Sequence, residues 1–228
     1  MQRFVLAIEN KKWMEGIRVE NQITTIEEDF KMLYDAMFKR KSVRKYSEKP
    51  LSEEMLYKIK LYKNSLVRLF PDIETEFKII SRKEVTVTTI TKAPHYVAVY
   101  SEEKEGYLTN IGFMLEQLDL FLSANNIGAC WLGTGSAIKS VTTKPNLKFV
   151  ILLAFGKSEE TIHRKDVSEF NRKQPSEISN VDNELSQTIR LAPSAINGQP
   201  WYYNQNNNDI DVYIRKNNMI KNCRSGEG

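Results

Sequence analysis

The sequence reads Leu191-Ala-Pro-Ser-Ala-Ile-Asn-Gly-Gln-Pro-Trp201 in its C-terminal part, and this stretch decides the prediction of the fold. Pro193 ends the helical pattern before it, because proline lacks a backbone donor and clashes with the preceding turn. Pro200 is expected to hold Gln199 in an extended conformation, and Gly198 is expected to take a positive φ. The backbone between the two prolines is therefore predicted to be a loop.

The loop offers polar side chains that suit a heterocyclic ligand. Ser194 supplies a hydroxyl, and Asn197 and Gln199 supply amides that donate and accept hydrogen bonds together. A flat ring with N–H and C=O edges needs such groups, and Trp201 offers it an aromatic wall. An ordinary Asn-Gly turn between a helix and a strand explains the same residues without a ligand. The local pattern leaves both interpretations open.

Length and composition limit the class of protein. The chain has 228 residues, of which 41% are hydrophobic, enough for one substantial core or two small packed lobes. No run has the length of a membrane helix, and the apolar patch from Met1 to Ala7 is too short for a signal peptide. Cys130 and Cys223 fit a reducing compartment and make neither a disulfide framework nor a metal site. These features predict a cytoplasmic protein without a membrane partner.

Basic residues concentrate in one segment. Between Lys39 and Lys49 there are six basic residues and one acid, Glu48, in a chain with a formal net charge of +4. Three alternatives explain this segment: a surface that binds a polyanion, a pocket for a phosphate, or the solvated end of a helix. Because the net charge is small and no aromatic residues interleave with the basic ones as a stacking surface, no nucleic-acid partner is predicted.

Apolar periodicity and turn residues predict helices and strands in a mixed order. The predicted helices begin at the capping box of Thr25 and Glu28, at Ser52, at Tyr107 and at Asp182. The predicted strands are Glu76 to Ser81, Val85 to Ile90, Tyr96 to Tyr100, Ala129 to Leu132, Phe149 to Phe155, Trp201 to Asn204 and Ile210 to Arg215. Residues 1–24 show no clean period and are expected to form an N-terminal extension.

Alternation places Arg40, Ser42 and Arg44 on one side of an extended segment. Two guanidiniums with a hydroxyl between them form a cradle for a phosphate and a neighbouring carbonyl or anionic ring. A solvated basic turn is the alternative.

Two further stretches carry candidate binding groups. The glycine turn Gly133-Thr134-Gly135 follows a strand and offers unhindered backbone N–H groups to a ligand, although an ordinary tight turn explains it equally well. The cluster His163-Arg164-Lys165 is a second basic site, for which a solvated loop is the default interpretation.

Three motifs together resemble the FMN-dependent nitroreductase family. Arg40-Lys-Ser-Val-Arg-Lys-Tyr46 is similar to that family's R-R-S-x-R-x-(F/Y). Asn126-Ile-Gly-Ala-Cys-Trp-Leu-Gly133 is similar to its G-x-G-x-C-W-(I/L)-G, and the loop quoted first is similar to its A-P-S-(S/A)-x-N-x-Q-P-W. The resemblance covers about residues 30–215, and the combination is specific although each motif alone is not.

The resemblance implies an α+β fold with a mixed, mostly antiparallel sheet flanked by helices, and FMN at the junction of two half-units. It implies an enzyme that uses NAD(P)H as reductant and a small-molecule electron acceptor such as a nitroaromatic or a quinone. In that family pattern Arg40, Ser42 and Arg164 hold the phosphate and ribityl chain, and Arg44 faces the N1/O2 edge of the ring. Backbone N–H groups of Gly133, Thr134 and Gly135 reach N5, while Ser194 and Asn197 contact the ring and ribityl; Lys41 and Pro193 complete the implied set.

The chain departs from the usual family pattern in the position of the loop. About 150 residues separate Arg40 from Arg190, just before the loop, whereas the loop follows the basic motif closely in usual members. The expectation is a single domain over residues 25–216, with half-units at about 25–157 and 158–216 supplied by one chain, as a monomer or homodimer. Residues 217–228 are expected to be a polar tail that lacks the last elements of the family fold. A module that binds flavin or nucleic acid without turnover is the alternative function.

Overall fold

The structure is a computed structural model that describes residues 3–7, 30–87, 91–139, 141–207 and 209–214. Within it the chain divides into two compact units, residues 29–167 and residues 1–28 with 168–228. The capping box of Thr25 and Glu28, the end of the strand predicted to reach Ile90, and the tail 217–228 lie outside the described residues. The predicted half-units stay a prediction.

The unit of residues 29–167 contains a sheet packed against helices. Its described helices are α1 (residues 30–37), α2 (Glu53–Asn64) and α3 (Tyr107–Ala124). Its described strands are β2 (Thr75–Ser81), β3 (Val85–Val87), β4 (His95–Ser101), β5 (Gly128–Leu132), β6 (Gly135–Ala137) and β7 (Lys148–Gly156). The order β2-β4-β7-β5 is antiparallel at every pairing, and β3 pairs separately with β6.

The helices of this unit follow from the sequence signals. The hydroxyl of Ser52 accepts a hydrogen bond from the backbone N–H of Met55 at 3.2 Å and caps α2. The apolar residues of α3 are buried, and Asn126 follows its end at a φ of 59°. The sequence Asn125-Asn126-Ile-Gly128 predicts such a left-handed stop, because Asn and Gly tolerate a positive φ. The apolar period of α1 predicts Phe30, Leu33, Tyr34, Met37 and Phe38 on one buried face. Leu33 does pack against the core, but Phe30 and Tyr34 are exposed, and Met32 and Ala36 are on the inner side instead.

The alternating side chains of the sheet form two apolar clusters. One face packs against α2 and α3 through residues such as Val97, Leu153 and Phe155. The other face packs Cys130 and Leu132 of β5 with residues of the neighbouring strands and with the segment 43–46. Both faces of the sheet are therefore covered, which explains why β4 is buried along nearly its whole length.

The second unit contains a small antiparallel sheet. Its order is β1-β9-β8, from β1 (Arg3–Ala7), β8 (Trp201–Asn206) and β9 (Asp209–Ile214). Two short helices, α4 (Pro175–Ile178) and α5 (Glu184–Ile189), precede the loop that leads to β8. The sequence patterns predict β8, β9 and a longer version of α5, but they miss α4 and β1.

Gly128 permits the basic segment to lie against β5. A Cβ at this position would lie 2.7 Å from Cγ1 of Val43, whereas a Cβ at Gly112 in α3 would meet nothing within 4 Å. Val43 itself is fully buried. The contact therefore requires a residue without a side chain.

We expect Gly128→Ala to lower the free energy of unfolding by about 1–3 kcal/mol through overpacking against Val43. The matched control Gly112→Ala should raise it by about 0.5–1 kcal/mol, because alanine loses less backbone entropy than glycine in a helix interior. Urea unfolding of the two variants checks this. If the two variants had equal free energies of unfolding, the close approach of Val43 to Gly128 would be contradicted.

Candidate functional site

The basic segment lies along the edge of β5 that does not pair with β7. Ser42 forms a parallel bridge with Ala129, and the backbone N–H of Val43 donates to the carbonyl of Ala129 at 2.9 Å. The side chains of Val43 and Tyr46 enter the apolar cluster on one face of the sheet. Burial of these two residues and backbone pairing with β5 hold the segment in place.

The segment that follows β7 lies on the other side of the basic segment. Arg40 bridges His163 and Tyr46 bridges Ser158, both in antiparallel fashion. The backbone N–H of Arg164 donates to the carbonyl of Lys39 at 2.8 Å, and the guanidinium of Arg164 donates to the carbonyl of Arg40. The structure thus brings together Arg40 and Arg164, two of the three residues that the resemblance assigns to the phosphate and ribityl chain.

The guanidinium of Arg40 is buried in an ion pair. Its Nη1 lies 3.0 Å from Oδ2 of Asp119 on α3, and its Nε lies 3.9 Å from Oε1 of Glu116. The indole Nε1 of Trp131 on β5 donates to the same Oδ2 at 2.8 Å. Burial alone would lower the pKa of Arg40, but the attraction of Asp119 and then of Glu116 outweighs it, and the net shift of the pKa is upward.

The two guanidiniums of the predicted cradle do not share one environment. Arg40 is only 3% exposed, because its charge has a carboxylate partner inside the unit, whereas Arg44 is exposed. A phosphate at Arg40, where the resemblance implies one, would compete with Asp119 for the guanidinium; the role of Arg40 at a phosphate stays a prediction. Arg44 and Lys45 are exposed, as are Glu48 and Lys49 at the end of the segment, and Lys41 and Ser42 are half-buried.

The thiol of Cys130 on β5 is buried in the apolar cluster that also contains Val43 and Tyr46 of the basic segment. Burial raises the pKa of Cys130, and the positive charge of Arg44 is the largest opposing influence. Arg40 and a side-chain hydrogen bond with Ser42 also lower that pKa.

A carboxylate occupies the backbone donors of the segment. Oε1 of Glu160 accepts from the backbone N–H of Arg44 at 2.6 Å and from that of Lys45 at 3.2 Å. The hydrogen bond from Arg44 is the largest cause of a lowered pKa at Glu160, and the charge of Lys41 contributes to it. Two successive N–H groups beside several cations form an anion-binding position.

The glycine turn follows β5 directly. A Cβ at Gly133 would meet nothing within 4 Å, so there is open space beside this residue. Gly135 has a φ of 151°, and a Cβ there would lie 3.0 Å from Cγ1 of Val87. Gly135 begins β6, and Thr134 is exposed between the two glycines. The turn thus presents accessible backbone at Gly133 and requires glycine at Gly135.

The loop after α5 differs from the prediction in its backbone. Gly198 has a φ of −69°, so the predicted positive φ at this glycine is wrong. Ile196, Asn197 and Gln199 have values of φ of 50°, 55° and 44° instead, and the extended conformation predicted for Gln199 before Pro200 is wrong as well. The left-handed conformations occur in residues with side chains, which is energetically unfavourable unless other contacts hold them.

Residues 171–173 supply those contacts. Arg172 donates through Nη1 to Oδ1 of Asn197 and through Nη2 to the carbonyl of Leu191, the latter at 3.2 Å. The backbone N–H of Lys173 donates to Oε1 of Gln199 at 2.7 Å. The carbonyl of Asn171 accepts from Nδ2 of Asn197 at 2.7 Å.

We call residues 171–173 the strap. The strap cannot be predicted from local patterns, because no periodicity or spacing connects these residues with a loop about 25 positions away. The one available signal is the pair of adjacent cations at Arg172 and Lys173, which occurs elsewhere in the chain without such a role.

The polar side chains of the loop are also bonded within it. Oγ of Ser194 accepts from the backbone N–H of Gln199 at 3.0 Å, and Nε2 of Gln199 donates to the carbonyl of Asn197 at 3.1 Å. Pro193 is half-buried at the start of the loop. The groups that the sequence analysis assigns to a ligand therefore have partners inside this unit.

Within the described ranges, the acidic, histidine and cysteine side chains form no cluster that could hold a metal ion. Among the helices of that part of the chain, none is long and apolar enough to cross a membrane.

Two solved structures are similar to this chain in fold. A crystal structure of "a putative nitroreductase" from Thermotoga maritima MSB8 shares 22% identity at a TM-score of 0.56, over 80% of this chain and 75% of that one. A nitroreductase family protein from Clostridium difficile 630 shares 14% identity at a TM-score of 0.51, over 67% of this chain and 97% of that one. The predicted α+β nitroreductase fold is confirmed.

The sequence itself was also compared with protein families. No curated protein matches it. The family described as "Putative TM nitroreductase" matches residues 32–225, which is most of the chain. The chain therefore belongs to this nitroreductase family.

Proposed function

We propose that this protein is an FMN-dependent oxidoreductase that transfers electrons from NAD(P)H to a flat small-molecule acceptor such as a nitroaromatic or a quinone. The observation that carries the proposal is the placement of the basic segment along β5, where Ser42 bridges Ala129 and Arg44 is exposed, with open space at Gly133 directly after that strand. Membership in a nitroreductase family supports the same reaction class.

The donor set of the segment fits the phosphate of FMN. Lys41 and Arg164 supply positive charge, and the backbone N–H groups of Arg44 and Lys45 already hold a carboxylate oxygen of Glu160. In this proposal the carboxylate oxygen of Glu160 occupies the position that an anionic oxygen of the ligand takes when it binds. Guanidinium and backbone N–H groups are suitable partners for phosphate, and Arg40 supports the set by fixing the segment to Asp119.

Other residues fit the ring of the cofactor. The open space beside Gly133 gives access to the backbone of the glycine turn. Thr134 and Gly135 are the next two residues of this turn. When bound, FMN supplies a site that takes a hydride from NAD(P)H and returns the electrons to the acceptor. The exposed charge of Arg44 favours a ring that gains negative charge on reduction, and Pro193, Ser194 and Asn197 supply a rigid loop surface.

A single chain is proposed to supply both groups of residues. The basic motif and the Asn197 loop occur in one sequence about 150 residues apart, counted from Arg40 to Arg190. In this proposal the protein binds one FMN per chain and needs no exchange of segments between subunits.

The purified protein should take up FMN, lose the visible flavin bands on anaerobic addition of NADH or NADPH, and regain them with a quinone. Arg44→Ala should weaken FMN binding about tenfold or more, since an exposed charge-assisted contact is lost. The matched control Arg68→Ala changes another exposed arginine and should leave the affinity unchanged. Both variants are compared by flavin fluorescence titration. Absence of FMN uptake by the wild-type protein would refute the proposal.

A mixture of two variants tests the single-chain arrangement. Asn197→Ala and Arg44→Ala should each be impaired, and mixing them should restore nothing, because every chain keeps one defective group. If two chains built one site, subunit exchange would restore up to about a quarter of the sites in an equal mixture. Flavin content and turnover of the mixture, measured against each variant alone, distinguish the two arrangements.

A further inference from the structure

The carboxylate of Glu160 occupies two backbone donors of the basic segment. Its Oε1 accepts from the N–H groups of Arg44 and Lys45, at 2.6 Å and 3.2 Å. These hydrogen bonds lie at the surface, and the side chains of Arg44 and Lys45 are exposed. All of these groups belong to the unit of residues 29–167. An anion in solution therefore reaches the same two donors when the carboxylate turns away.

Backbone hydrogen bonds hold the segment that carries Glu160 against the basic segment. The backbone N–H of Glu159 donates to the carbonyl of Lys45 at 3.0 Å. The backbone N–H of Ser47 donates to the carbonyl of Lys157 at 2.9 Å. These two bonds use only backbone groups, so they persist when the side chain of Glu160 changes its conformation. The carboxylate can therefore leave its two donors while the segments stay paired.

The charges around Glu160 favour an anion at these donors. The hydrogen bonds from Arg44 and Lys45, and then the charges of Lys41 and Lys45, hold the pKa of Glu160 below its usual value, so its carboxylate is ionised at neutral pH. A phosphate monoester carries a charge of about −1.5 to −2 at pH 7 and three acceptor oxygens. Because attraction to the nearby cations increases with charge, such a phosphate is a stronger partner for the two N–H groups than a carboxylate.

We propose that Glu160 is an internal competitor for the phosphate group of the ligand: its carboxylate and the phosphate take the same two N–H groups, so that binding of one displaces the other. This inference rests on the proposed function, in which the phosphate belongs to FMN. The competition lowers the affinity for the phosphate and excludes anions that bind more weakly than the carboxylate. Glu160 thus sets how strongly an anion must bind to enter the site.

Glu160→Gln tests this competition, because glutamine keeps the size of the side chain and removes its charge. FMN should bind this variant about three- to tenfold more tightly than the wild type, since a neutral amide is a weaker partner for the two N–H groups. Riboflavin, which lacks the phosphate, should bind both proteins equally. Flavin fluorescence titration measures both affinities. If the carboxylate served only to stabilise the segment, the variant would bind FMN less tightly.

The matched control is Glu159→Gln, which makes the same change at the neighbouring exposed residue. It should change the affinity for FMN less than about twofold, because salt screens an exposed charge. Unchanged or weaker binding of FMN by Glu160→Gln, or an equal gain for riboflavin, would overturn the role of Glu160 and leave the proposed function standing.

Inorganic phosphate tests the competition without a flavin. When phosphate replaces chloride at equal ionic strength, the rise in Tm should be larger for Glu160→Gln than for the wild type and Glu159→Gln, because a ligand that binds the folded state stabilises it in proportion to its affinity. If the wild-type protein took up no FMN, this larger rise would still support the competition while the proposed function failed. An equal rise in all three proteins would overturn the inference.

Discussion

The carboxylate of Asp119 is the constraint on which the unit of residues 29–167 depends. It accepts from Arg40 at 3.0 Å and from Trp131 at 2.8 Å, and both Asp119 and Arg40 are nearly inaccessible to solvent. A buried charge without a partner is costly, so removal of either partner leaves the other in an unfavourable state. Through these two bonds α3 is connected both to the basic segment and to β5.

The function that we propose depends on the same constraint. Because Arg40 is fixed inside the unit, the residues that follow it lie along β5 with Val43 buried and Arg44 exposed. The backbone N–H groups of Arg44 and Lys45 then face a carboxylate, that of Glu160. One arginine of the motif thus has a structural role, and the other supplies accessible charge.

The sequence predicts regular elements well where a long apolar period or a cap identifies them, as in α2, α3 and β7. It predicts the location of the loop after α5 from two prolines, but it assigns the positive φ to Gly198 instead of Ile196, Asn197 and Gln199. The reason is that hydrogen bonds from the strap, which is distant in the sequence, hold those conformations. The local backbone preference of each residue carries no information on these hydrogen bonds. The same limit explains why the buried partner of Arg40, 79 positions away, could not be inferred.

A double-mutant cycle on Arg40 and Asp119 tests this account most directly. Urea unfolding is measured for the wild type, Arg40→Met, Asp119→Asn and the double variant. The account predicts that each single variant loses about 3–5 kcal/mol, and that the double variant loses less than their sum by about 1–3 kcal/mol, because the two residues interact. Losses that add within about 0.5 kcal/mol would contradict the claim that this ion pair fixes the basic segment to α3.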